Sequence, residues 1–308
     1  MPRPIQGVLP IAHTPFLADD TIDFASLRKQ IDWAFATGAD GVCTGMVSEL
    51  LRLTHDERLE LTDQLPVITA GRGCVVMSVG AESVKQAVIY TRRAASAGCD
   101  AVMAVPPISG SVPDIELIHY YSGLADASPL PVIVQDASGY VGKSISLDVN
   151  IELLRRYGNE KILFKPEASP IGPLLSNFHK HTHGQARVFE GSGGILLIDS
   201  FRRGIAGTMP GMEYLDAIVP LWKALQRGDD ATAYRLYFPV CALVALQLQA
   251  GLDGFLAIEK YILHRRGLFA TDRRRRPNSW SLDRETQAEV DRLLALLEAE
   301  VQRIPKSS

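Results

Sequence analysis

ILFKPEASP, residues Ile162 to Pro170, runs three apolar residues straight into a lysine and sets a glutamate two positions beyond it. Lysine is among the least buriable side chains, so an apolar run that leads into Lys165 needs an explanation. Ile162, Leu163 and Phe164 read as a strand buried on both faces, of the kind a parallel sheet covers with helices. Lys165 then stands at the strand's carboxyl end. Its position alone leaves two readings open. The ammonium escapes to water or an ion pair, or it sits in a pocket and works as an amine.

The same signature recurs along the chain. Short apolar runs open at Gly7 (GVLPIAHTPF), Asp40 (DGVCTG), Val75 (VVMSVGA), Ala101 (AVMAVPP), Pro131 (PVIVQD), Ile162, Arg187 (RVFEGSG) and Gly204 (GIAGTMPG). Between them lie amphipathic stretches such as FASLRKQIDWAFATG, SVKQAVIYTRRAASAG and DVNIELLRRYG, each ending in the glycine that stops a helix. Eight strand-helix units fit an α/β TIM (β/α)8 barrel over residues 1–230 better than an open doubly wound sheet. From about Ala231 the strand signal stops. YRLYFPVCALVALQLQ, FLAIEKYILHRRG and RETQAEVDRLLALLEAEVQRI read as C-terminal helices, residues 231–308, packed on the barrel. The last is amphipathic and reads either as an interface helix or as the closing helix of one domain.

Composition narrows the function classes. The 308 residues are 46% hydrophobic and 22% charged, ordinary for a soluble globular chain. A net charge of −3 offers no basic field for nucleic acid or an anionic membrane. The basic run Arg273–Arg276, closed by Pro277, reads as a solvated loop or an interface ion-pair cluster. Cys43, Cys74, Cys99 and Cys241 are scattered without CxxC or histidine spacing, so neither a disulfide framework nor a zinc site is expected. His179, His181 and His183 alternate in HKHTHG, which reads as a solvated helix-to-strand loop, and no metal is expected there. The chain opens on no signal pattern, and no apolar run looks long enough to span a bilayer. The expected compartment is the cytoplasm.

A barrel's active site lies at the carboxyl ends of its strands. Those ends here read TGMVSE from Thr44, PPISG, QDASG from Gln135, KPEAS, EGSGG from Glu190, and TMPG. PIAHTPFLADDTIDFASLRKQIDWAFATGADGV, TGMVSELLRLTHDER, LPVIVQDASG and ILFKPEAS together resemble the dihydrodipicolinate synthase/N-acetylneuraminate lyase family of class I Schiff-base lyases, over nearly the whole chain. Lys165 falls on that family's imine-forming lysine. Val47 and Ser48 fall in the loop that holds the 2-oxo acid carboxylate, with Ser48 able to add a hydroxyl. Gly191, Ser192 and Gly207 fall at strand ends that border the substrate, and Thr14 on the threonine of the first-strand T-P-F. Tyr140, Ser109 and Met209 are candidates for the distal pocket. The resemblance implies a homotetramer with no metal and no diffusible cofactor.

The departures from the family pattern redirect the chemistry. Gln135, followed by Asp136, stands where the proton-shuttling tyrosine would be. Ile108 replaces the second relay tyrosine and Met46 the first threonine of G-T-T-G-E. Tyr140 replaces the arginine that clamps aspartate semialdehyde. The Gln-Asp-Ala, Ser-Glu and Lys-x-Glu endings, with GLFATDRRRRPNSWSLDRET, look similar to 2-keto-3-deoxy-L-arabonate dehydratases. The expected activity is dehydration of a 2-oxo-3-deoxy sugar acid through an imine on Lys165. The alternatives are an aldolase cleaving a 4-hydroxy-2-oxo acid to pyruvate and a catalytically altered 2-oxo acid binder. With the tyrosine gone, Glu167, Asp136, Glu190 and Glu49 are the candidate proton carriers. Glu167 shares the strand face of Lys165, either as acid-base group or as the charge partner that orients the lysine. Asp136 reads as pointing into the wall or capping a turn when it does not touch substrate, and Glu49 as a structural brace. Gln135 cannot titrate but can hydrogen-bond the substrate.

Overall fold

Every one of the eight apolar runs forms a strand, and a helix follows each. The strands are β1 (Gly7–Val8), β2 (Gly41–Cys43), β3 (Cys74–Ser78), β4 (Ala101–Ala104), β5 (Val132–Asp136), β6 (Ile162–Pro166), β7 (Phe189–Glu190) and β8 (Gly207–Thr208). The helices between and after them are α1 (Phe24–Thr37), α2 (His55–Thr69), α3 (Val84–Ala97), α4 (Asp114–Ala127), α5 (Leu147–Tyr157), α6 (Ile171–His181), α7 (Leu197–Arg202) and α8 (Leu215–Gln226). The computed structural model describes residues 3–304, so the outermost residues of the stretches 1–230 and 231–308 lie outside it.

Strands β2 to β6 pair in parallel in chain order, and β7, β8 and β1 form a second parallel set. Bridges at Ile11–Cys43 and Phe164–Val188 join the two sets. Cys43 accepts from the amide of Ala12 at 2.8 Å, and Arg187 from that of Phe164 at 3.0 Å. The ring is therefore closed: a TIM (β/α)8 barrel, as the eight repeats imply.

Period-two alternation sorts the side chains. On β6, Ile162 and Phe164 face the helices, Phe164 meeting Phe178 of α6 edge-on at 4.8 Å. Leu163 joins Ile133, Phe189, Leu9 and Met103 inside the barrel. The same alternation carries Lys165 and Glu167 inward. On β5 it turns Gln135 inward and Asp136 outward, and the register sets Gln135 directly opposite Lys165. Gly38 and Gly98 end α1 and α3 in the left-handed conformation, where a side chain would be strained.

Beyond the barrel lie α9 (Asp230–Leu248), α10 (Gly251–Arg265) and α11 (Arg284–Gln302). Contrary to the sequence expectation, one helix is long and apolar enough to cross a bilayer by length and composition. It is α9, with 19 residues and a mean hydropathy of 1.3. Its apolar stripe, Ala233, Leu236, Val240, Leu243 and Val244, is buried, and the helix packs on α8, α10 and α11. Val290, Leu294 and Leu297 of α11 are also buried, and that helix packs on α9 and α8, so its apolar face is used within the chain.

Two local readings change. His179 and His181 belong to the last turn of α6, not to a loop, and His183 follows with a positive φ of 50°. The Arg273–Arg276 run is an ion-pair cluster inside the chain. Arg275 grips Glu57 at 2.5 and 2.8 Å, and its backbone amide donates to Glu49 at 2.9 Å. The cysteines are free, and Cys43, Cys74 and Cys99 are buried as small apolar side chains.

Candidate active site

Lys165 lies at the carboxyl end of β6 inside the barrel, only 3% exposed. Its Nζ forms a short ion pair with Oε1 of Glu167, the next inward residue. The other oxygen, Oε2, accepts from Gln135 Nε2 at 3.1 Å. Glu167 thus joins two strands through one carboxylate. Burial pushes its carboxyl above the ordinary range, while the Lys165 ammonium and the two hydrogen bonds pull the other way. Gln135 Oε1 is buried without a partner among the described residues. A buried acceptor left unpaired is costly, and a substrate hydroxyl or ammonium would satisfy it.

These groups open onto a narrow cavity at the carboxyl ends of the strands. Gly45, Met46 and Val47 line one side, Tyr140 and Gly191 another, and Leu252, Phe255 and Glu259 of α10 close it. Gly191 leaves room for the lysine: a Cβ there would lie 2.5 Å from Lys165 Nζ and 2.6 Å from its Cε. Tyr140 meets Phe255 edge-on at 5.4 Å. Burial holds the Tyr140 hydroxyl well above its ordinary value, and Glu167, Glu259 and Glu190 add to that effect.

The residues expected to hold the substrate divide into two sets. Val47 lines the cavity within the 3₁₀ turn Met46–Ser48, whose opening amides have no carbonyl to bond within the turn. Ser48 does not offer its hydroxyl. That group donates to the carbonyl of Ala12 and accepts from the Gly45 amide at 3.0 Å. Thr14 donates to the Ser48 carbonyl at 2.6 Å, so both side chains brace the loop from behind. Asp136 faces away from the cavity, because alternation turns it outward. It accepts from the amides of Ser138 at 2.9 Å and Ile145 at 2.8 Å and so caps a turn. Ser192 is taken up by Glu190 and by the Leu196 amide at 3.0 Å. Gly207 begins β8 opposite Gly7, below the cavity, and allows close strand pairing. Met209 and Gly211 are the β8-side residues that reach the lining.

The candidate proton carriers sort the same way. Glu190 is occupied by Ser192 and by Thr208 at 2.7 Å. Glu49 is paired with buried Lys260 and with the Arg275 amide. Of the four expected carboxylates, Glu167 alone lines the cavity.

One carboxyl was not foreseen. Glu259 reaches the cavity from α10, and its Oε2 lies 2.5 Å from Nε2 of buried His13. Glu213 lies close to both. The sequence held a signal for it: in FLAIEKYIL a Glu-Lys pair interrupts an apolar helix, where charge is costly unless it has work or a partner.

The model of the dihydrodipicolinate synthetase family matches residues 4–297. An L-2-keto-3-deoxyarabonate dehydratase of Azospirillum brasilense is 28% identical over 296 residues, covering 92% of each chain. A 4-hydroxy-tetrahydrodipicolinate synthase of Methanothermobacter thermautotrophicus is 31% identical over 167 residues, covering 54% of this chain and 58% of that one. Among solved structures, a dihydrodipicolinate synthase from Rhodopseudomonas palustris superposes with a TM-score of 0.85 at 25% identity, covering 95% of this chain and 97% of that one. A prophage protein from E. coli K12, solved in complex with pyruvate, gives 0.84 at 22%, covering 96% and 99%, a likeness of fold alone.

Proposed function

The chain belongs to the dihydrodipicolinate synthetase family, and from that premise we propose that it dehydrates a 2-oxo-3-deoxy sugar acid such as 2-keto-3-deoxy-L-arabonate. The family's members are Schiff-base lyases, and this chain is a lyase of that kind. The observation that carries the finer reading is the buried Lys165–Glu167–Gln135 linkage across β5 and β6, with a carboxylate and an amide where a tyrosine relay would stand. The similarity to the A. brasilense dehydratase over most of both chains supports it.

In the proposed reaction the substrate carboxylate rests on the Met46–Val47 amides. Glu167 takes the ammonium proton of Lys165, whose free amine attacks C2. Glu167 gives that proton to the departing C2 hydroxyl, and loss of water leaves a protonated imine that acidifies C3. The Glu167 carboxylate then removes a C3 proton to give the enamine. The C4–O bond breaks as the enamine electrons push out the hydroxyl, which leaves as water with the proton Glu167 returns; water then hydrolyses the imine, freeing the dehydrated 2-oxo acid and the Lys165 amine. Burial suits Glu167 to both halves: the cationic imine favours its carboxylate, and loss of that charge favours its acid. Gln135 anchors Glu167 through its amide nitrogen and turns its open oxygen towards a substrate hydroxyl.

Incubation with pyruvate and borohydride, followed by mass spectrometry, is expected to place a reduced adduct on Lys165. Its absence would sink the Schiff-base assignment of that residue. A panel of 3-deoxy-2-oxo sugar acids is expected to yield a semialdehyde without pyruvate. Pyruvate with an aldehyde would instead make the protein an aldolase.

A further inference from the structure

Glu259 is 1% exposed, His13 0% and Glu213 1%. Their ligand-type atoms lie within 4.8 Å of one another. Glu259 Oε2 meets His13 Nε2, while Oε1 takes no hydrogen bond among the described residues and faces Gly211, a residue of the cavity lining. Behind it, Glu213 Oε1 accepts from Gln247 Nε2 at 3.0 Å. Glu213 Oε2 and His13 Nδ1 have no partner among the described residues.

The charged groups around Glu259 leave it no cation of its own. Lys260, its neighbour on α10, is spent on Glu49 and on the carbonyls of Thr14 and Arg273. Lys165, across the cavity, is spent on Glu167. Two buried carboxylates beside an imidazole cannot both stay ionised at such a cost, so protons must be held in the cluster. Burial lifts Glu213 and Glu259 to about 8 and lowers His13 to about 4, in keeping with neutral groups throughout. The cavity must also admit an anion. An ionised Glu259 would confront it with uncompensated negative charge.

We propose that Glu259 is a binding residue that acts as a neutral carboxylic acid: His13 Nε2–H holds one oxygen, and the other donates a hydrogen bond into the cavity to an oxygen of the substrate. This rests on the cavity's being a 2-oxo acid site. His13 fixes the orientation, and burial without a cation of its own keeps the proton on Glu259.

The test compares E259Q, which keeps a neutral donor of the same shape, with E259L, which removes it. The readouts are calorimetric pyruvate affinity, KM and kcat, each beside borohydride trapping on Lys165. E259Q is expected to stay within about 3-fold of the wild type, and E259L to bind about 10-fold more weakly, the worth of one neutral hydrogen bond, with trapping retained at saturating pyruvate. The proposal is overturned if E259Q is as impaired as E259L, or if E259L binds like the wild type. It is also overturned if Mn²⁺ or Zn²⁺ raises the Tm of the wild type but not of E259Q, which would make the cluster a cation site. A wild type that binds pyruvate without forming an adduct would defeat the Schiff-base assignment but leave the affinity comparison decisive for Glu259.

Discussion

Gly191 and Lys165 compete for one volume: a Cβ on Gly191 would stand 2.5 Å from the lysine Nζ. Glu167 Oε1 lies against the same point, so β7 leaves out a side chain in order that β6 can present two. The φ of Gly191 lies outside the left-handed region, so its backbone tolerates alanine. The atoms met are the far ends of flexible chains and can move aside. G191A is therefore expected to fold with nearly unchanged Tm. Trapping of pyruvate on Lys165 should fall about 100-fold, the usual scale for a 1 Å misplacement of a reacting group.

In the proposed reaction Glu167 carries the protons at C3 and C4, and the amide of E167Q cannot. With pyruvate, E167Q is expected to form the Lys165 adduct more slowly but to completion, because glutamine keeps the shape and an acceptor for the amine yet cannot take the ammonium proton. Turnover of the sugar acid should fall by roughly 10²- to 10⁴-fold. Turnover close to wild type in a steady-state assay would leave Glu167 with the orienting role alone.

The buried cluster sets how stability follows pH. Glu213 and Glu259, raised from 4.5 to about 8, keep protons that the unfolded chain releases. Their contribution is complete below pH 4.5 and lost as pH rises towards 8. His13, lowered from 6.5 to about 4, acts oppositely: its contribution grows between those two values and is flat above 6.5. Between pH 6.5 and 8 the carboxyls act alone, so Tm should decline across that window. In E213Q the decline should be shallower, measured by calorimetry at pH 6.5 and 8.

Lys260 is fully buried and binds Glu49, the Thr14 carbonyl at 2.7 Å and the Arg273 carbonyl at 2.9 Å. It ties α10, the first-strand loop, the carboxylate loop and the arginine strap to one point. K260M removes the buried cation from Glu49 and leaves it the Arg275 amide at 2.9 Å and Arg52 at 3.5 Å, at a cost of about 3 kcal/mol. The double variant E49L/K260M should regain much of that loss in denaturant titrations, because the stranded charge is gone.

How much was legible in the sequence follows from the range over which each feature is determined. The eight strands, the glycine stops of α1 and α3, and the inward pair Lys165–Glu167 rest on alternation and local backbone preference, which a chain carries within a few residues. Alternation also turns Asp136 outward while Gln135 faces in. The roles of Ser48, Thr14 and Ser192 were not legible, because a hydroxyl's task depends on which backbone groups the closed barrel brings to it. Gly207 fell at the wrong end of β8 for contact because only the register with Gly7 fixes its height. Glu259 lies 94 residues after Lys165 in the chain and shares its cavity only because α10 folds back over the barrel mouth. Local chemistry chose the lysine and its carboxylate. Long-range packing, through which burial sets protonation, decided what surrounds them.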